Sequence, residues 1–144
     1  MGQQQLLLVI LVTIIVGIAT VVGINIFGAS AASANRDAVR QDILMIASSA
    51  QSWHLMPKMM GGGGNTFTGL NFHNFSFPAD QINSDGSIAI NLNGLYELTV
   101  SADQFTITAH PSSDPNYDAS QDFTATATET MVAIVTKDGV SWGS

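Results

Sequence analysis

Residues 6–24 read LLLVILVTIIVGIATVVGI, and this stretch without charge or proline decides how the chain folds. Fourteen of its nineteen residues are Leu, Ile or Val. As a helix that rises about 1.5 Å per residue it spans about 29 Å, close to the roughly 30 Å hydrocarbon core of a bilayer. The aliphatic side chains favour membrane insertion by roughly 4–8 kcal/mol in total. The stretch is therefore predicted to be a helix that can lie in a membrane.

Charge divides the 144-residue chain into two parts. No charged residue precedes Arg36, and all four basic and eleven acidic residues lie from there onward, among many Ser, Thr, Asn and Gly. The net charge is −7, and after Lys58 only Lys137 is basic, so no cationic patch is available to bind nucleic-acid phosphates. The chain has no cysteine, which excludes disulfides, thiol catalysis and zinc–thiolate sites.

Three roles are open for the apolar stretch. A cleaved signal peptide could use the Ala32-Ser33-Ala34 pattern, but no basic residue precedes the stretch and it is long for this purpose. A single-pass anchor is the second role, although Arg36 and Arg40 on the C-terminal side would then place the following domain inside the cell. The third role is a helix that first lies in a membrane and later packs against copies of itself.

Residues 35–57 are predicted to continue the same helix in amphipathic form. Apolar residues recur at spacings of four and three, so they form one stripe that can pack on a sheet. The stripe consists of Val39, Ile43, Ile46, Ala50 and Trp53. Met56-Pro57 ends the helix, because proline disfavours helix at the residue before it. We therefore expect one continuous helix of about 50 residues, with residues 1–34 as its apolar half and Gly61 to Gly64 after it as a flexible connection.

The remainder is predicted to be a connecting loop followed by a sheet. Residues 58–86 are rich in glycine and aromatic residues, and Phe75 with Phe77 could form a short strand. Residues 87–144 alternate between apolar stretches and turns, which predicts an antiparallel meander. The expected strands are 87–92, 96–100, 104–110, 124–128, 131–136 and 140–142. Because 131–136 is the most apolar, we expect it to be central. The fold class is thus α+β, a long N-terminal helix packed on a small antiparallel sheet.

With this architecture the chain resembles the type IV pilin and pilin-like (pseudopilin) superfamily. The resemblance rests on the apolar first third, on GLYELTVSADQFTITAHP at 94–111 and on VTKDGVSWGS at 135–144. It implies a structural subunit of an extracellular pilus, a fimbrium at the cell surface, that polymerises with copies of itself through the N-terminal helix. It further implies an inner-membrane stage before assembly and, as partners, a prepilin peptidase and a pilus assembly machinery. Adhesion, twitching motility, DNA uptake and secretion are the uses it leaves open.

The resemblance also assigns residues to assembly. Met1 would be a processed, methylated N-terminus, and Gln5 stands where most pilins have Glu. A neutral amide offers no charge to a neighbouring amine, but it also avoids the cost of burying a carboxylate. The residues expected to mediate assembly are Met1, Gln5, Leu6, Leu7, Leu8, Ile10, Ile14, Ile15, Ile18 and Val22. The alternative is a single-pass, membrane-anchored extracytoplasmic binding module that does not polymerise.

One loop has the spacing of a calcium site. Its polar residues alternate like the first odd-numbered ligands of a calcium-binding loop. These residues are Asp114, Asn116, Asp118, Ser120 and Asp122. Ala119 replaces the usual turn glycine and no Glu occupies the twelfth position, so a solvated acidic loop is the alternative. Pseudopilins, which the chain resembles, bind calcium in C-terminal loops, and calcium is the only cofactor we consider.

No motif indicates an enzyme. The sequence lacks a G-x-S-x-G motif, a P-loop and a dinucleotide fingerprint. The histidines, His54, His73 and His110, have no ligand spacing. His54 follows Trp53 at the end of the helix, so a packed or dipole-facing role is expected for it rather than catalysis. Asn74-Phe75-Ser76 is a formal glycosylation sequon and makes Asn74 a candidate glycan site.

Overall fold

The structure is a computed structural model that describes residues 2–118, 123 and 127–143. It consists of one long helix and an antiparallel sheet, so the predicted α+β class is confirmed. The helix α1 spans Gly2–Leu55, and a 3-10 turn at Lys58–Met60 follows it. The strands are β1 (Gln81–Ile82), β2 (Ile88–Ile90), β3 (Gly94–Val100), β4 (Gln104–Pro111), β5 (Met131–Thr136) and β6 (Gly139–Trp142).

The chain forms two compact units, residues 1–34 and residues 35–144. The first unit is helical throughout its described residues, and nearly all its side chains are exposed. The second contains the rest of α1 and the sheet, and among the described residues the buried core lies entirely in it. The boundary falls where the sequence changes from uncharged to charged.

The sheet is a meander in which each strand pairs with the next along the chain. Its order is β1-β2-β3-β4-β5-β6, and every pair is antiparallel. The centre is the β3–β4 hairpin, which pairs along its whole length from Gly94 with Pro111 to Val100 with Phe105. The expectation that residues 131–136 are central is wrong, because only β6 lies beyond β5. Of the strand predicted at 124–128, residues 124–126 lie outside the described residues.

One face of the sheet packs on the amphipathic half of α1. The helix contributes the residues of the predicted stripe, Val39, Ile43, Ile46, Ala50 and Trp53, all of them buried. The sheet contributes alternate residues of its strands, since period-two alternation places them on one face. The buried strand residues include Ala89, Tyr96, Leu98, Phe105, Ile107, Ala109, Ala133 and Val135. The loop between α1 and β1 adds buried aromatic rings rather than a strand at 75–77, namely Phe67, Phe72 and Phe77.

The glycine run after α1 is folded against the end of the helix, in contrast to the flexible connection that its composition predicts. The Gly63 amide donates to the Trp53 carbonyl at 2.9 Å, and the Gly64 amide donates to the Met56 carbonyl at 3.0 Å. The Trp53 indole Nε1 donates to the Gly61 carbonyl at 2.9 Å. A Cβ on Gly63 would lie 2.2 Å from the Thr66 carbonyl oxygen and 2.7 Å from the Trp53 ring. Glycine is needed here because two backbones and a ring approach closely.

Candidate assembly site

The first unit presents an apolar surface on every side of the helix. The sixteen large apolar side chains between Leu6 and Phe27 are 48% to 78% exposed. Soluble monomers rarely leave a continuous apolar surface of this kind uncovered. By length and composition α1 is able to cross a membrane, a criterion that a signal sequence near the N-terminus also meets.

The two hydroxyl groups in the apolar stretch are satisfied within the helix. Thr13 donates from Oγ1 to the Ile10 carbonyl at 2.8 Å. Thr20 donates from Oγ1 to the Val16 carbonyl at 2.8 Å. Polar groups placed in hydrocarbon need such partners, because an unsatisfied group there costs several kcal/mol. The surface from Leu6 to Ile24 therefore offers no side-chain donor that requires water.

The residues predicted to mediate assembly are spread around the helix rather than gathered on one face. Consecutive residues point about 100° apart, so Leu6, Leu7 and Leu8 already face three directions. Gln5 and the aliphatic residues from Leu6 to Val22 in the predicted set are all exposed. Met1 lies outside the described residues. A helix of this kind contacts several neighbours at once when it is surrounded by protein or lipid.

A buried carboxylate that the sequence analysis did not single out fixes the second unit. Asp42 is buried on the face of α1 that meets the sheet. Its Oδ2 accepts from Tyr96 Oη at 2.7 Å, from Asn93 Nδ2 at 2.8 Å and from Asn91 Nδ2 at 2.9 Å. Burial, followed by the bond to Asp42, raises the pKa of Tyr96. The sequence did contain an indication, because position 42 lies three residues after Val39 and four before Ile46, on the apolar stripe.

The beginning of the second unit is also fastened by polar contacts. Asn35 donates from Nδ2 to the Asn93 carbonyl at 3.0 Å and to Ser112 Oγ at 3.1 Å, and its Oδ1 accepts from the Ser113 amide at 3.1 Å. Arg36 forms two hydrogen bonds with the Glu129 carboxylate, at 2.6 Å and 3.0 Å. Glu129 raises the pKa of Arg36 through these bonds and its charge. The helix thereby holds two separate loops of the domain.

The predicted calcium loop is only partly described. Ser120 and Asp122 lie outside the described residues. Asp114 is buried and both its carboxylate oxygens accept hydrogen bonds, Oδ1 from the Asn116 amide at 2.8 Å and Oδ2 from the Glu129 amide at 2.6 Å. These bonds, that from Asn116 first, lower the pKa of Asp114. Within the part of the chain that the structure describes, no three acidic or His side chains gather into a metal-binding group.

The glycosylation candidate and the histidines occupy separate places. Asn74 is exposed in a turn, where its Oδ1 accepts from the Asn71 amide at 3.0 Å, and it borders a cavity of about 380 Å³ with Ser48 and Ser52.

His54 is buried, with its ring centroid 4.4 Å from that of Phe67. His110 lies in β4, and burial lowers its pKa. His73 is exposed.

Comparisons with known proteins add no relative. No family model matches the chain, and neither a curated protein nor a solved structure is significantly similar to it.

Proposed function

We propose that the chain is the structural subunit of an extracellular, type IV pilus-like filament that polymerises through its N-terminal helix. The observation that carries the proposal is the apolar surface on all sides of the helix from Leu6 to Phe27. This half is continuous in one helix, Gly2–Leu55, with a half that is tied to a folded domain. A simple anchor requires the first half but gives no reason for an unbroken helix that also backs a sheet.

Assembly on this proposal exchanges lipid neighbours for protein neighbours. Before assembly the apolar half lies in the membrane, and in the filament the same surface packs in a central bundle. Lipid tails are as apolar as Leu, so the exchange gains little from the hydrophobic effect, and packing between helices must fix the register. The satisfied hydroxyls of Thr13 and Thr20 allow the transfer without breaking a hydrogen bond.

The second unit forms the outer layer of the proposed filament. Gln51 donates from Nε2 to the Thr136 carbonyl at 2.9 Å, which fastens α1 to β5 near the end of the helix. Asp42 and Asn35 fasten it nearer the beginning. A domain held at both ends of its helix keeps a fixed orientation on that part of α1. Its acidic composition favours solubility of the exposed surface.

Electron microscopy of material sheared from the cell surface tests the proposal. Filaments that contain this chain, identified by mass spectrometry, are the expected result. Recovery of the chain only as dispersed membrane protein would reject polymerisation and support the membrane-anchored binding module. Mass spectrometry of the N-terminus is the second measurement, because a methylated first residue is expected after prepilin processing, whereas an initiator formyl or acetyl group would contradict it.

A further inference from the structure

The turn after α1 carries an exposed apolar and basic surface, which we name the methionine turn and define as Leu55, Met56, Lys58, Met59 and Met60. Met59 is 100% exposed, Met60 72% and Leu55 71%. The turn is held in place, because the Gly61 and Met60 amides donate to the Lys58 and Pro57 carbonyls at 3.0 Å and 2.9 Å. Methionine side chains adapt to irregular partner surfaces. A fixed turn that exposes three large apolar residues is suited to contact another surface.

Lys58 is the basic side chain of the described residues that forms no ion pair. Arg36 pairs with Glu129, Arg40 with Asp37, and Lys137 approaches Asp138 at 3.8 Å. The chain carries a net charge of −7, so the Lys58 ammonium group is a positive charge on a molecule with an excess of acidic residues. It fits a partner surface that combines an unpaired carboxylate with apolar groups.

A surface with those properties lies on the same domain. The acidic notch, defined by Asp42, Pro78, Asp80, Asn91, Leu92 and Asn93, lines an open cavity of about 280 Å³. Leu92 is 89% exposed beside it. Asp80 is exposed and forms no ion pair with another described residue. The cavity is slightly below the range typical of small-molecule sites, roughly 300–1,000 Å³, and suits a protruding side chain.

The two surfaces lie at different positions along the domain's helical segment, which runs from Asn35 to Leu55. The notch is fixed beside Asp42, because Asn91 and Asn93 donate to that carboxylate. The methionine turn begins at Leu55, thirteen residues further along α1, which is about 20 Å at 1.5 Å per residue. Two complementary surfaces at different places on one subunit produce head-to-tail contacts that extend into rings or filaments.

We infer that the methionine turn of one copy docks into the acidic notch of the next copy, with Lys58 facing Asp80 and Met59 or Met60 against Leu92. The inference rests on the proposed filament and names the contact between its domains. The contact is small and is reinforced by the helices, because subunits already joined at one site meet at a high effective concentration.

Disulfide trapping in full-length filaments tests the contact, and the absence of native cysteine gives it a clean background. The double variant Met59→Cys/Leu92→Cys should form a ladder of covalent dimers, trimers and longer species after mild oxidation. The matched control, Met59→Cys/Glu97→Cys, places the second thiol at an exposed position on β3 and should yield at least several-fold less of the ladder. Filaments that form normally without a ladder specific to the 59/92 pair would overturn the inference.

Charge reversal provides a second readout that needs no cysteine. Lys58→Glu and Asp80→Lys should each lower the yield of sheared filaments, and the double variant should restore it. Equal yields from all four chains would overturn the inference while leaving the filament proposal standing. Absence of filaments from the unmodified chain would instead overturn the proposed function, and the contact with it. Crosslinking of position 59 to a different protein would show that the turn binds another partner and would also overturn the inference.

Discussion

Asp42 shows how a single polar residue can fix the position of a helix on a sheet. Its Oδ2 accepts three hydrogen bonds, from two asparagines of the β2–β3 loop and from a tyrosine of β3. Hydrogen bonds have directional requirements that apolar contacts lack, so they select one rotation and one register of the helix. Residue types alone could not reveal this role, since acidic residues are mostly exposed.

Removing that carboxylate should destabilise the domain strongly. In Asp42→Ala the buried Tyr96 hydroxyl and two asparagine amides lose their acceptor, and we expect a loss of about 2–4 kcal/mol in the free energy of unfolding. The free energy of unfolding is measured by urea titration of the full chain in detergent, with tryptophan fluorescence as the signal. Asp37→Ala is the matched control, because Asp37 lies on the exposed side of the same helix and should leave stability nearly unchanged. Equal effects of the two substitutions would contradict the role of Asp42.

Asp114 should make the stability of the domain depend on pH in the acid range. Its pKa is lowered in the folded state by hydrogen bonds from the Asn116 and Glu129 amides. The unfolded chain therefore binds the proton more readily, and the stabilisation, present above the ordinary Asp pKa of about 3.9, is lost as pH falls through the folded pKa. We expect the unfolding midpoint of Asp114→Asn to fall less than that of the wild type between about pH 4 and pH 2. Parallel profiles would contradict this assignment.

At the scale of elements, the periodicity of apolar residues predicted the helix face and the strands better than amino-acid composition predicted the connections. The spacing of Val39, Ile43 and Ile46 predicted the buried face of α1, and alternation predicted β3, β4 and β5 to within two residues at each end. The lateral position of β5 was missed, because hydropathy reports burial of a strand but not how many strands pair beyond it. The glycine run was read as flexible, since composition does not report the hydrogen bonds that fold it against the helix end.

A substitution in the glycine run, residues 61–64, tests whether this turn is packed or flexible. Gly63→Ala places a methyl group 2.2 Å from the Thr66 carbonyl oxygen, so the turn must shift and we expect a loss of about 1–3 kcal/mol. Gly139→Ala is the control, because a Cβ there meets nothing within 4 Å. Thermal unfolding by circular dichroism compares them. An unchanged melting temperature for Gly63→Ala would show that the turn yields easily.

At the scale of the molecule, the two units have surfaces of different chemical character. Residues 35–144 bury an apolar core and expose charge, whereas residues 6–27 expose aliphatic side chains in all directions. The sequence predicted this division from the position of its first charged residue, Arg36. The proposed polymer would be a property of several chains, and the pattern of one chain can indicate it only through a surface that needs neighbours.

A charge in the middle of the apolar half tests that surface. Ile15→Arg should cost about 2.5–3.5 kcal/mol for insertion into a membrane and should abolish filaments in electron micrographs of sheared material. Ile15→Leu keeps the volume and apolar character of the side chain and should assemble as the wild type does. Normal filaments from the arginine variant would contradict the assignment of residue 15 to an apolar environment.

The hydrogen bonds at the two ends of the segment between β4 and β5 affect how the length of that segment can change. Asp114 accepts from the Glu129 amide, and Arg36 holds the Glu129 side chain, so both ends of residues 115–128 are fixed at one place. Closing a longer loop costs little, roughly 0.6 kcal/mol for each doubling of its length. We therefore expect that a foreign peptide inserted between Asp114 and Glu129 would lengthen the connection at little entropic cost and leave the contacts of Asp114 and Arg36 with Glu129 in place.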